Sequence, residues 1–323
     1  MDIWANLGWV VLGLVMLYYG AEWLVRGASA LAVRMGISPL VVGLTVVAFG
    51  TSAPELVVSA KANLAGQSAL ALGNVVGSNI CNICLVLGVA ALIFPVGIER
   101  QVVRREMPIL LVISFLFYGM MWNGEVAVWE SALLALGIFV YVVMSLRLAK
   151  KEPAAAGEGL DEEVLEAAQK GGIGGVLRDL ALVAVGVVVL VFGADFLVKG
   201  GAYLARAFGV SEAVIGLTLV AFGTSLPELA TSVVAALKKE GDICVGNAVG
   251  SCIFNILAVI GLSGLLGPMD ASALTQIDLW VMLGATIVLL PMMRKGMSLA
   301  RWEGGLLLAA YLAYTAYLGI AHV

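Results

Sequence analysis

Two nine-residue strings, AFGTSAPEL at residues 48–56 and AFGTSLPEL at 221–229, stand 173 positions apart and differ at one position. At the same offset GLVMLYYGAEWLVRGA falls on GVVVLVFGADFLVKGG, and LGNVVGSNICN (72–82) falls on VGNAVGSCIFN (245–255). The chain is therefore a unit written twice, and its fold must be one that the same unit builds two times over.

Both strings lie in greasy surroundings. Hydrophobic residues make up 62% of the 323 residues and charged residues 12%, with a mean hydropathy of +1.05. A soluble domain has about half apolar and roughly a quarter charged residues. The charges fall between apolar blocks long enough to cross a hydrocarbon core of ~30 Å, which takes ~20 helical residues. Ten membrane helices are predicted, at 6–28, 37–63, 69–94, 104–122, 127–149, 175–197, 211–237, 242–267, 275–293 and 302–320. Five helices per unit is an odd number, so the second copy enters the membrane from the opposite face. The expected fold is an all-α integral membrane protein of ten helices in two inverted five-helix repeats. Helices 2, 3, 7 and 8 are expected to be broken or kinked around an ion site near the midplane. Residues 1–149 form the first repeat, 150–174 a cytoplasmic linker and 175–323 the second repeat.

The start, MDIWANLGWV, lacks the positive charge of a secretory signal, and its apolar stretch is too long for one. With ten crossings, fifteen of the eighteen Lys and Arg residues fall on one side, leaving Lys61, Lys199 and Arg206 on the other. The positive-inside rule then puts both termini outside and the linker in the cytoplasm. Within the linker, LDEEVLEAAQK reads as a short helix; its acids lack the alternating ligands and glycine of an EF-hand loop. Cys81, Cys84, Cys244 and Cys252 read as small helix-packing residues, and His322 as inert. Glu22 with Arg26 and Asp195 with Lys199 have the i,i+4 spacing of anchoring ion pairs.

Proline inside a helix leaves the carbonyl four residues back without its donor. On that reading Pro54 frees the carbonyl of Gly50 and Pro227 that of Gly223, next to a cluster of side-chain oxygens. Helical spacing puts Thr51, Glu55 and Ser59 on one stripe and Asn74, Ser78 and Asn82 on another, with Gly73 and Gly77 allowing close backbone approach. Thr224, Glu228 and Ser232, and Asn247, Ser251 and Asn255, repeat both stripes. Hydroxyls and amides in membrane helices often serve packing alone. An ionisable group at membrane depth is costly and marks function, so Glu55 and Glu228 are the leading candidates. Carboxylate, hydroxyl, amide and carbonyl oxygens without imidazole or clustered thiolates suit hard cations such as calcium.

These residues carry a resemblance to the cation/calcium exchanger superfamily, and within it to the prokaryotic sodium/calcium exchangers. It spans essentially the whole chain and rests on GTSAPE with GNVVGSNICN and GTSLPE with GNAVGSCIFN. The resemblance implies an antiporter that carries calcium and sodium alternately through one central cluster and needs no cofactor. It implies that Glu55 and Glu228 bind calcium with Thr51 and Thr224. Ser52, Ser78, Ser225, Ser251 and the carbonyls of Ala48 and Ala221 would complete sodium sites, with Asn82 and Asn255 at the centre. The first and sixth helices would slide across the bundle. Some relatives carry aspartate at the position of Asn255, so this chain has two central carboxylates rather than three. Sodium-driven calcium antiport in a bacterial or archaeal plasma membrane is the expectation, with lipid as surroundings and neither nucleic acid nor an obligatory protein partner. Calcium/proton antiport through the same glutamates is the alternative. A passive channel fits an inverted repeat poorly. An intramembrane enzyme lacks an HExxH pair, a partnered nucleophile or a phosphate loop.

Overall fold

The structure, a computed structural model, describes residues 3–149, 172–209, 221–272 and 274–321. Most of the linker, the start of the seventh expected helix and His322 lie outside the described residues. The described chain is helical apart from four two-residue strands and short turns. In order come α1 (Ile3–Met35), α2 (Pro39–Thr51), α3 (Ala53–Leu64), α4 (Ser68–Ile93), α5 (Met107–Met120), α6 (Val128–Ala149), α7 (Gly172–Ala207), α8 (Leu226–Leu237), α9 (Gly241–Gly264), α10 (Gln276–Arg294) and α11 (Arg301–Ala321). Among the described residues, α1, α4, α6, α7, α9 and α10 are long and apolar enough to cross a membrane, and the bent pair α2–α3 makes a seventh span.

Burial sorts these helices into an interior and a wall. All of the apolar window of α9 and most of that of α4 is buried, whereas α1, α6 and α7 present most of theirs outward. Trp4, Phe139 and Phe192 stand on that outer surface. Such a surface suits a chain whose solvent is hydrocarbon, where only helices and closed barrels satisfy every backbone group.

The wall helices α1 and α7 run antiparallel along a seam of glycines. Gly13, Gly20 and Gly27 face Gly193, Leu190 and Asp179 in turn, and Gly186, Gly193 and Gly200 receive α1 in the opposite order. A β-carbon on Gly20 would lie 2.9 Å from the backbone nitrogen of Leu190, and one on Gly186 would lie 2.7 Å from that of Leu24. Side-chain-free positions seven apart let the two backbones touch along their length. Arg34 Nε meets Asp179 Oδ2 at 2.5 Å at one end of the seam. The pair is tied to the rest of the bundle by Lys238 to Glu22 at 3.2 Å and by the Ser29 hydroxyl donating to Glu240. Asp195 and Lys199 form the expected i,i+4 pair at 2.7 Å.

Small contacts cross between the halves at repeat-related places. Val96–Gly97 pairs antiparallel with Ser298–Leu299, and Glu125–Val126 with Met269–Asp270. The helix starts repeat as well: the amide of Ala127 donates to Glu130 at 2.8 Å, and that of Ala300 to Glu303 at 2.9 Å.

The second helix is broken as expected, but the place of its proline is corrected. Pro54 does not interrupt a helix. The chain breaks at Ser52 (φ −84°, ψ 4°) and Pro54 lies in the first turn of α3, where a missing amide costs nothing because first-turn amides lack helical partners anyway. Ser225 (φ −89°, ψ 4°) and Pro227 do the same at the start of α8. The bend between α2 and α3 is 44°. Of the alternatives broken or kinked, α4 and α9 are not broken. They stay helical throughout and widen into π turns at Cys81–Val86 and Asn255–Ile260, the places where Asn82 and Asn255 stand. A π turn shifts the register of every later side chain and is frequent at functional positions.

Candidate cation site

Glu55 and Glu228 each occupy the first turn of a fresh helix, α3 and α8, with no exposure to solvent. A helix start favours a carboxylate through its unpaired amides and dipole. Each carboxylate is reached by a hydroxyl from the other half. Ser52 Oγ donates to Glu228 Oε1 at 3.1 Å, and Ser225 Oγ donates to Glu55 Oε1 at 3.4 Å. The serines are the very residues at which the chain breaks, so each break places a hydroxyl against the opposite carboxylate.

The threonines cross in the same reciprocal way. Thr51 Oγ1 donates to Asn247 Oδ1 at 3.0 Å, and Thr224 Oγ1 to Asn74 Oδ1 at 3.2 Å. Asn74 Nδ2 donates to Ser59 Oγ, and Asn247 Nδ2 to Ser232 Oγ, both at 3.0 Å. Asn74 and Asn247 thus clamp the threonines of the opposite half, acting as clips between helices. Thr51 lies 3.4 Å from Ser251 Oγ, and Ser225 lies 3.2 Å from Ser78 Oγ. The Ala48 carbonyl accepts from the Ser52 amide at 3.0 Å and weakly from Thr51 Oγ1 at 3.4 Å. Ala221 opens the short helical stretch Ala221–Gly223. Gly50 and Gly223 face α7: β-carbons there would lie 2.6 Å from a Val187 methyl and 2.5 Å from a Val198 methyl. Gly246 and Gly250 receive the backbone of α2: β-carbons there would lie 2.8 Å from the Leu40 carbonyl oxygen and 2.9 Å from that of Leu44. The described residues put nothing within 4 Å of a β-carbon on Gly73 or Gly77.

What is left unbonded matters most. Glu55 Oε2, Glu228 Oε2, both amide atoms of Asn82 and Asn255 Oδ1 are buried without a hydrogen-bond partner among the described residues. The ion pairs formed among the described residues engage Asp179, Glu106, Asp195 and Glu22, and none reaches Glu55 or Glu228. Two buried carboxylates without a protein counter-charge need positive charge from elsewhere, either cations or protons. Among the described residues no three His, Cys, Asp or Glu side chains gather, so any bound cation takes hydroxyl, amide and carbonyl oxygens beside its carboxylates. The four cysteines are free and buried in the same interior.

The family profile described as sodium/calcium exchanger protein matches residues 5–147 and 179–319. The chain belongs to the sodium/calcium exchanger family. The exchanger is similar to the sodium/calcium exchanger MaX1 of Methanosarcina acetivorans, at 33% identity over 94% of this chain and 96% of that protein. CaxA of Alkalimonas amylolytica is 38% identical over 94% of this chain and 96% of its own. A solved structure of the sodium-calcium exchanger NCX_Mj soaked with 10 mM Na+ superposes with a TM-score of 0.84 at 31% identity, covering 98% of this chain and 99% of that one. The exchanger is thus a multi-pass membrane transporter for cation/calcium antiport, not an enzyme, and its ions are cargo rather than cofactors.

Proposed function

We infer that the chain exchanges sodium for calcium through one site shared by its two halves. The observation that carries this reading is the pair of buried carboxylates, Glu55 and Glu228, with no counter-charge among the described residues and one oxygen each left over. One calcium ion balances the two charges, and so do two sodium ions, so either cargo neutralises the site and displaces the other. A further sodium ion adds net charge and makes exchange electrogenic. Calcium takes six to eight oxygens at ~2.3–2.6 Å. Glu55, Glu228, Thr51 and Thr224 are its proposed ligands. Ser52, Ser78, Ser225, Ser251 and the Ala48 and Ala221 carbonyls take sodium, and Asn82 and Asn255 face the centre. The hydroxyls on this list lie in two hydrogen-bonded sets, one around each glutamate: Ser52, Thr51 and Ser251 with Glu228 and Asn247, and Ser225, Ser78 and Thr224 with Glu55 and Asn74.

The ten-helix inverted repeat, divided at 150–174, is the architecture proposed. The reciprocal Ser to Glu and Thr to Asn bonds support it, as does the antiparallel glycine seam. In alternating access α1 and α7 move as one body, since their backbones touch along the glycine seam. The distribution of Lys and Arg supports placing both termini outside a plasma membrane. Similarity to the inner membrane protein YrbG of Escherichia coli, 35% identical over 96% of this chain, supports the location.

The test is calcium uptake into proteoliposomes loaded with sodium, with the membrane potential clamped or free. Uptake that follows the outward sodium gradient and speeds up under an inside-positive potential supports electrogenic sodium exchange. Uptake driven by a pH gradient alone overturns the coupling ion.

A further inference from the structure

The two central amides differ in their surroundings, and the difference traces to one residue outside the polar stripes. Asn79 is buried on α4, one turn before Asn82. Its Nδ2 lies 3.9 Å from the sulfur of Met282 on α10, and its Oδ1 accepts from Asn255 Nδ2 at 3.1 Å. A thioether sulfur accepts hydrogen bonds and never donates them. The NH2 end of Asn79 therefore faces Met282, and its oxygen faces Asn255. Asn255 must answer with its own NH2, which leaves Asn255 Oδ1 buried, unpartnered and pointing away from Asn79. The repeat-related position of Asn79 in the second half is Cys252, whose sulfur lies 3.8 Å from the Asn79 backbone carbonyl. No such relay holds Asn82, and both ends of its amide are unpartnered among the described residues.

We propose that Asn79, oriented by Met282, is a positioning residue that fixes the Asn255 amide with its oxygen toward the cation, while Asn82 stays free to turn. The proposal rests on the shared cation site above. An amide oxygen held in place is a permanent ligand. An amide held by nothing turns its oxygen to a cation when one is present and its NH2 to a carboxylate when none is. One half of the duplicated unit thus supplies a fixed neutral ligand and the other an adaptable one.

Calcium titration of the detergent-solubilised protein by calorimetry tests this. Asn79→Cys, which copies the second half, and Asn79→Leu each remove the acceptor that holds Asn255, and each is expected to weaken calcium binding about fivefold, the worth of one ordinary hydrogen bond. Asn255→Leu is expected to weaken it by a similar factor. In the decisive arm, Asn79→Cys added to Asn255→Leu has no further effect, because the residue it positions is gone. A purely packing role for Asn79 would instead multiply the two losses. Met282→Leu, which keeps the volume and removes the sulfur, gives a smaller loss in the same direction. A wild-type protein that binds calcium while both Asn79 variants bind it equally well overturns the relay alone, as does multiplication in the double variant. A wild-type protein that binds no calcium overturns the site and the relay together.

Discussion

Around the carboxylates the two halves of the exchanger serve each other alike: Ser225 reaches Glu55 and Ser52 reaches Glu228. Around the amides they part, with Asn255 bonded to Asn79 and Asn82 bonded to nothing among the described residues. A duplicated unit begins with every residue in two copies. The glutamates and the hydroxyls and amides that serve them have stayed equivalent, whereas Asn79 and its repeat-related Cys252 have diverged. On the proposed reading neither half holds the site without the other, since each glutamate accepts from a serine of the opposite half.

That comparison is broken most directly at the glutamates. Glu55→Gln and Glu228→Gln should each reduce sodium-driven calcium uptake about 100-fold or more, since each leaves a divalent ion facing a single carboxylate. Uptake assays should give losses equal within about threefold. A mild loss in one half alone breaks the equivalence. Next in size is the glycine seam, where Gly20→Val and Gly193→Val force side chains into touching backbones. Each should cost about 1–3 kcal/mol of stability, read as a lowered melting temperature in detergent. Gly8→Ala, with nothing within 4 Å of its β-carbon, should change little.

Smaller again are the serines. Ser52→Ala and Ser225→Ala should each raise the KM for calcium about tenfold, since hydrogen bonds to charged groups are worth about 1.5–3 kcal/mol. Flux measured against calcium concentration checks whether the two agree. The smallest effect contrasts two turns. Gly66 has φ +71°, and the repeat-related Lys239 holds φ +61° with a side chain. Gly66→Ala should destabilise by about 1 kcal/mol, whereas Lys239→Gly should not destabilise, because it relieves a left-handed backbone. Thermal unfolding of the two variants separates them.

Much of this was legible in the sequence because duplication wrote it twice. The carboxylates and hydroxyls of the GTSxPE strings stand out from an apolar background, and the structure sets Ser52 and Thr51 around Glu228, and Ser225 and Thr224 around Glu55. What was not legible depended on local geometry or on distant partners. A proline in an apolar run reads the same whether it kinks one helix or opens the next, and the backbone at Ser52 decides. The π turns at Asn82 and Asn255 leave no mark in composition. Asn79 lies off the polar stripes and has no polar counterpart in the other half, so repetition could not flag it. The glycine seam between α1 and α7 emerges only from packing, because a glycine in an apolar helix does not name its partner. Glu22 was read with Arg26 at i,i+4, and the structure adds Lys238, far along the chain, as its partner.

The most direct test of one shared site is the calcium stoichiometry of the purified protein, measured by calorimetry on wild type, Glu55→Gln and Glu228→Gln. A shared site gives one strongly bound calcium ion per chain, lost in both single variants. Two calcium ions per chain, with one surviving in each variant, would contradict it.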